Sequence, residues 1–123
     1  MQLNHKEYMM NQPSPFVAIL MGSASDQSVM QACVDQCKAL GLAYEWKILS
    51  AHRTPAAVQA YVEQAPTRGC VMFIAAAGVA AHLAGVVAAH TVCPVIGVPL
   101  NAGDLRGMDA LLSTVQMPGG MPV

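Results

Sequence analysis

Phe16-Val-Ala-Ile-Leu-Met21, followed at once by Gly22-Ser-Ala-Ser-Asp26, is the stretch from which the fold is read. Six consecutive apolar residues have strand length. An unbroken run, in place of in–out alternation, marks a strand covered on both faces, the kind found in parallel sheets sandwiched between helices. The glycine ends the run, and the small polar residues after it provide a sharp turn and a helix cap.

Outward from that stretch the same unit recurs. Val29, Met30, Cys33, Cys37 and Leu40 predict one apolar helical face, and Gly41 stands where a C-cap belongs. Residues 44–49 read as a second strand. Thr54-Pro55 opens a second helix, a capping hydroxyl followed by proline at the first helical position; this helix is expected to bury Val58, Tyr61, Val62 and Ala65 and to stop at Pro66. Residues 70–75 form a third apolar run, 80–90 a helix of small residues, 94–98 a fourth strand and 105–115 a last helix. Strands apolar throughout, alternating with helices, predict an α/β domain with a parallel sheet and helices on both faces.

Bulk properties narrow the function classes. The chain has 123 residues, suited to one domain, with 54% hydrophobic and 11% charged residues and a formal net charge of −1. With six basic against seven acidic residues there is no positive field for a nucleic-acid backbone or an anionic membrane, so neither is expected as a partner. No apolar run reaches the ~18 residues of a spanning helix. Residues 1–15 are polar and Asn/Gln-rich, unlike a secretory signal, and read as a flexible tail before a domain at 16–123. Cys33, Cys37, Cys70 and Cys93 show no C-x-x-C spacing. They read as buried thiols of a soluble cytoplasmic protein rather than as disulfides or a zinc site.

In an open parallel sheet, ligands bind beyond the carboxyl ends of the strands. The unusual polar residues of this sequence all fall there. After the first strand, Ser23, Ser25 and Asp26 precede a helix whose free N–H groups suit a phosphate; the hydroxyls can donate and the carboxylate can accept from a ribose. A plain N-cap explains the same residues. After the second strand comes Ser50-Ala-His-Arg-Thr-Pro55. Arg53 suits bidentate phosphate binding and His52 proton transfer near neutral pH, although a solvated His-Arg pair is an equal reading. After the third strand, Gly78 and its small neighbours permit close approach of a ligand, and His82 falls in the first turn of the next helix, where a structural histidine also fits. The loop after 94–98 can close over such a site. His52 has no carboxylate partner in sequence, no G-x-S-x-G elbow is present and metal-ligand spacing is absent. Proton transfer combined with phosphate anchoring is the simplest chemistry that fits.

Five motifs in order and spacing carry a resemblance: Met21-Gly-Ser-Ala-Ser-Asp26, Ser50-Ala-His-Arg-Thr-Pro55, Ala80-Ala-His-Leu83, Pro94-Val-Ile-Gly-Val-Pro99 and Ser113-Thr-Val-Gln-Met-Pro118. Over residues 16–123 the chain resembles the PurE family. The resemblance implies a flavodoxin-like three-layer α/β/α sandwich with a parallel sheet, assembled as a homo-octamer with sites between subunits. It implies a mutase of purine biosynthesis that converts 5-(carboxyamino)imidazole ribonucleotide to 4-carboxy-5-aminoimidazole ribonucleotide, with no metal and no organic cofactor. By motif position, Ser23, Asp26 and Arg53 would bind the ribose phosphate, assisted by Ser25 and Ser50. His52 would be the general acid/base, and Gly78 and His82 would border the pocket of the migrating carboxylate. Two alternatives are a carboxylase using free CO2 and a non-catalytic nucleotide-binding module. The metazoan-type carboxylase tends to carry Lys-Gly where this chain has Arg53-Thr54, which favours the mutase.

The chain departs from the family pattern at Ala76, Val79 and Ala84, where members commonly have Gly, Gly or Arg, and Pro. Val79 is the largest of these changes and is expected to narrow the carboxylate pocket. Residues 116–123 read as a loop feeding a further strand. Since the resemblance implies another strand and a long helix beyond it, the domain at 16–123 is expected to be C-terminally incomplete.

Overall fold

The computed structural model describes residues 13–123; His5 and most of the tail expected at 1–15 lie outside the described residues. Four strands, β1 (Phe16–Met21), β2 (Tyr44–Ile48), β3 (Cys70–Gly78) and β4 (Val95–Leu100), form one parallel sheet in the order β2-β1-β3-β4. Four helices connect and follow them: α1 (Gln27–Ala39), α2 (Pro55–Gln64), α3 (Leu83–Ala89) and α4 (Met108–Val115).

The apolar run of β1 has its explanation in this order. β1 lies between β2 and β3, with Ile19 level with both Trp46 and Ile74, and all six of its residues are buried. Successive side chains of a strand point to opposite faces. Phe16, Ala18 and Leu20 pack with Phe73, with Val58 and Val62 of α2 and with Leu83 and Val87 of α3. Val17, Ile19 and Met21 pack on the other face with Met30, Val34 and Cys37 of α1 and with Leu100. Each large side chain so buried stabilises the fold by about 1.5–3 kcal/mol. The result is three layers around a sheet with a core on each face.

Several local readings are corrected by this packing. The buried face of α1 is Met30, Val34 and Cys37; Val29 and Leu40, expected inside, are 61% and 62% exposed, and Cys33 is half-buried. Positions 30, 34 and 37 follow the helical period more closely than the expected set, and the sheet selects that stripe. Gly41 does end the helix, at φ +66°, with Leu42 N–H donating to Cys37 O and Gly41 N–H to Lys38 O. That is the hydrogen-bond pair of a Schellman cap. In α2, Val58 and Val62 are buried as expected; Ala65 is buried in the 3-10 turn that follows (Ala65–Arg68), and Tyr61 is only half-buried. Thr54 stands at the N-cap of α2, but its hydroxyl turns back to accept from Ser50 N–H and does not cap the helix. β2 is an edge strand with Glu45 and Lys47 among its five residues, so it is not apolar on both faces. The four cysteines are free thiols; burial pushes the Cys33 and Cys70 thiols up from their ordinary range.

Candidate functional site

Parallel strands end on one edge of the sheet, so the segments after Met21, Ile48, Gly78 and Leu100 gather there. The chain leaves β1 for β2 on one side and later enters β3 on the other. β1 and β3 therefore flank the point where the strand order reverses, the place where open α/β sheets hold their ligands. A cavity of about 470 Å³ lies at this edge, within the usual size of a small-molecule site. Its lining includes Ser23, Ser25, Asp26, Ser50, His52, Arg53, Gly78 and His82, all eight positions singled out from the sequence.

The first wall is the loop after β1. Ser23 caps a 3-10 turn (Ala24–Asp26) that leads into α1, and the cap is reciprocal: Ser23 Oγ accepts from Ser25 N–H at 3.4 Å, and the Asp26 carboxylate accepts from Ser23 N–H at 3.0 Å. Ser23, not Ser25 or Asp26, is thus the side-chain cap, and the capping box rigidifies this cradle. The second wall is the loop after β2. Ser50 Oγ accepts from Arg53 N–H at 3.1 Å, and the Arg53 guanidinium donates to Gly22 O at 2.9 Å. The Nε–H of Arg53 also donates to Ser50 Oγ at 3.4 Å, so arginine ties the second loop to the first while its other guanidinium N–H groups stay exposed in the cavity lining.

The third wall follows β3. Gly78 is required by close approach: a Cβ there would stand 2.7 Å from Ala102 Cβ, in the loop after β4. His82 is the N-cap residue of α3 and makes no side-chain capping bond. Its Nδ1 lies 2.7 Å from His52 Nε2, with the two rings nearly perpendicular at 85°. One nitrogen donates and the other accepts. The absence of a carboxylate partner for His52 in the sequence is answered by a second imidazole from 30 residues away. Of the three departures, only Val79 reaches the cavity; Ala76 is buried against the α1 face and Ala84 is buried in α3. Ala51, Ala77, Ala80, Leu83 and Ala102 complete the wall and were not picked out as site residues from the sequence, since small apolar residues carry no chemical signature. Among the described residues, no group of three or more His, Cys, Asp or Glu is arranged to hold a metal ion, and no helix is long and apolar enough to cross a membrane.

An open parallel sheet with helices on both faces, carrying its polar cavity at a switch point, defines a flavodoxin-like α/β protein. Comparison with known proteins narrows this class. The family model described as AIR carboxylase matches residues 16–123. The chain is 53% identical over 109 residues to the N5-carboxyaminoimidazole ribonucleotide mutase of Bacillus subtilis, covering 89% of this chain and 67% of that protein. It is 51% identical over 114 residues to the enzyme of the same name from Synechocystis sp., covering 93% and 65%. The phosphoribosylaminoimidazole carboxylase of Candida albicans is 49% identical over 118 residues, covering 96% of this chain and 21% of that one. Among solved structures, Treponema denticola PurE superposes with a TM-score of 0.79 at 31% identity, covering 88% of this chain and 69% of that chain. The chain belongs to the AIR carboxylase (PurE) family, and it spans about two thirds of the length of the bacterial mutases it matches.

Proposed function

We propose that this chain carries the site of a 5-(carboxyamino)imidazole ribonucleotide mutase, with 16–123 acting as its α/β catalytic domain. The observation that carries the reading is one cavity in which a Ser/Asp/Arg cradle faces a pair of imidazoles 2.7 Å apart. The names of the bacterial relatives at 51–53% identity point the same way.

In this reading the phosphate of the ribonucleotide lies among Ser23, Ser25, Ser50 and Arg53, and Asp26 accepts from the ribose. The chemistry follows from what the imidazoles can exchange. Breaking the N–CO2 bond of the carbamate releases CO2, and the exocyclic nitrogen takes a proton from the His52 imidazolium. The ring is then an electron-rich enamine, and its carbon attacks CO2, forming a C–C bond and an sp³ centre. His52, now neutral, removes the proton from that carbon and restores both aromaticity and its own charge. Protons balance over the cycle, and no cofactor is called for. His82 holds the His52 ring in place, and Gly78 borders the pocket in which CO2 remains beside the ring. Keeping both fragments in one dry pocket turns recombination into an effectively intramolecular step.

A homo-oligomer, an octamer by resemblance, belongs to this reading, supported by the exposed apolar side chains Leu105, Met108, Leu111, Leu112 and Val115 on and before α4. Four free thiols fit a cytoplasmic setting. The competing reading is a carboxylase, favoured by the name of the Candida albicans relative. The test is to offer the purified chain the carbamate substrate, and separately aminoimidazole ribonucleotide with bicarbonate. Conversion of the carbamate without incorporation of labelled CO2 from solution supports the mutase. Product only from the second mixture makes it a carboxylase, and tight binding without turnover a nucleotide-binding module.

A further inference from the structure

Val79 has a φ of +56°, a left-handed conformation that a residue branched at Cβ very rarely adopts. Glycine takes that conformation without steric cost, and Gly103, packed beside Val79 in the loop after β4, does so at φ +67°. Burial does not account for the valine, since 51% of its surface is exposed. What distinguishes it from glycine is a branched apolar group in the lining of the cavity. Its Cγ2 lies 3.6 Å from where a Cβ on Gly103 would stand, so the side chain spans from the loop after β3 to the loop after β4. Beside it Gly78 and Ala102 are already in close contact. The Ser23, Asp26 and Arg53 cradle comes from the loops after β1 and β2, so Val79 stands over the other half of the sheet. Strain retained at a ligand cavity points to a role for the group that causes it.

We propose that Val79 is a specificity-determining residue: its isopropyl group closes the β3–β4 end of the cavity and limits the size of the substituent that the ring of a bound ribonucleotide can carry. The inference rests on the ribonucleotide reading above, which places the phosphate end among the β1 and β2 loops and so the ring toward β3.

The experiment compares wild type, Val79→Gly and Val79→Ala by calorimetric titration with three ligands: ribose 5-phosphate, 5-aminoimidazole-4-carboxamide ribonucleotide, and the same nucleotide with an N-butyl group on the amide. Wild type is expected to bind the butyl amide at least about tenfold more weakly than the primary amide, the scale of a few methylenes refused by a closed wall. In Val79→Gly that ratio is expected to fall to within about threefold, with Val79→Ala in between and ribose 5-phosphate unchanged throughout. If Val79→Gly does not fold, Val79→Ala alone decides by the same ratio. A ratio unchanged in the folded variants overturns the inference while leaving the ribonucleotide reading intact. Failure of wild type to bind ribose 5-phosphate overturns that reading, and the inference with it.

Discussion

His52 Nε2 and His82 Nδ1 are 2.7 Å apart, the first from the loop after β2 and the second from the start of α3. β2 and β3 are not neighbours; β1 lies between them. The contact therefore crosses over the carboxyl end of the central strand, directly beyond Gly22 and the cradle that follows it. A hydrogen bond between two imidazoles needs one N–H and one lone pair, so it orients both rings while leaving the outer nitrogen of each free to exchange a proton.

Replacing His52 by asparagine keeps the approximate size and polarity of the side chain but removes the proton exchange. Turnover is expected to fall about 10²–10⁴-fold with ribonucleotide binding retained. Steady-state kinetics on the carbamate substrate checks this, and more than about a tenth of the wild-type rate removes His52 from the role of general base. His82→Phe deletes the orienting bond, and where orientation is the whole role of His82, kcat is expected to fall by about fivefold, the scale of one hydrogen bond near 1 kcal/mol.

Arg53 joins Ser50 to the carbonyl of Gly22 and keeps donors exposed in the cavity. Arg53→Ala is expected to weaken binding of phosphorylated ligands by about 1.5–3 kcal/mol, roughly ten- to more than a hundred-fold. The dephosphorylated nucleoside should bind variant and wild type alike. A comparable loss toward the nucleoside, measured in the same titration, would place Arg53 away from the phosphate.

Gly97, at the middle of β4, lies against both α3 and α4. A Cβ there would stand 2.4 Å from Thr114 Cγ2, 2.9 Å from Val123 Cγ1 and 3.2 Å from Ala84 Cβ. Gly97→Ala is expected to destabilise the fold by about 1–3 kcal/mol through overpacking. Urea unfolding measures it, and a loss under about 0.5 kcal/mol would mean that α4 yields freely.

Glu45, on the edge strand, accepts from Arg68 Nη2 at 3.1 Å, also from Arg68 Nη1, and from Tyr61 Oη at 2.7 Å. The Arg68 guanidinium holds this carboxyl below its usual range, helped by Tyr61 and Lys47 and opposed by partial burial. The Tyr61 phenol is pushed up, first by burial and then by its bond to the carboxylate. A carboxyl whose folded pKa is depressed contributes stability above its unfolded value, near 4.3, and loses it as pH falls through the folded value. Wild type should therefore exceed Glu45→Gln in thermal midpoint at pH 7, and the gap should close as pH falls below about 4. A gap that persists unchanged to pH 3 would show that shape and not charge holds this corner.

The sequence by itself determined the class of fold and the polar residues of the cavity. An unbroken run such as residues 16–21 is stable only between two covered faces, and in a parallel sheet every strand end lies on one edge, so polar residues at those ends must converge. Local pattern also carried the C-cap at Gly41 and the proline start of α2. What it did not contain was the partner of each element. The stripe of α1 that is buried, with Val34 in and Val29 and Leu40 out, was chosen by the sheet surface beneath it. The turning of Thr54 toward Ser50 was decided by competition between backbone partners on either side of it in sequence. The pairing of His52 with His82 depended on the order β2-β1-β3-β4, because hydrophobic period records which face is covered and not which strand lies alongside. The left-handed turn at Val79, against the loop after β4, was likewise not written in its residue type, since a side chain branched at Cβ favours negative φ, and it appeared only in the tertiary structure.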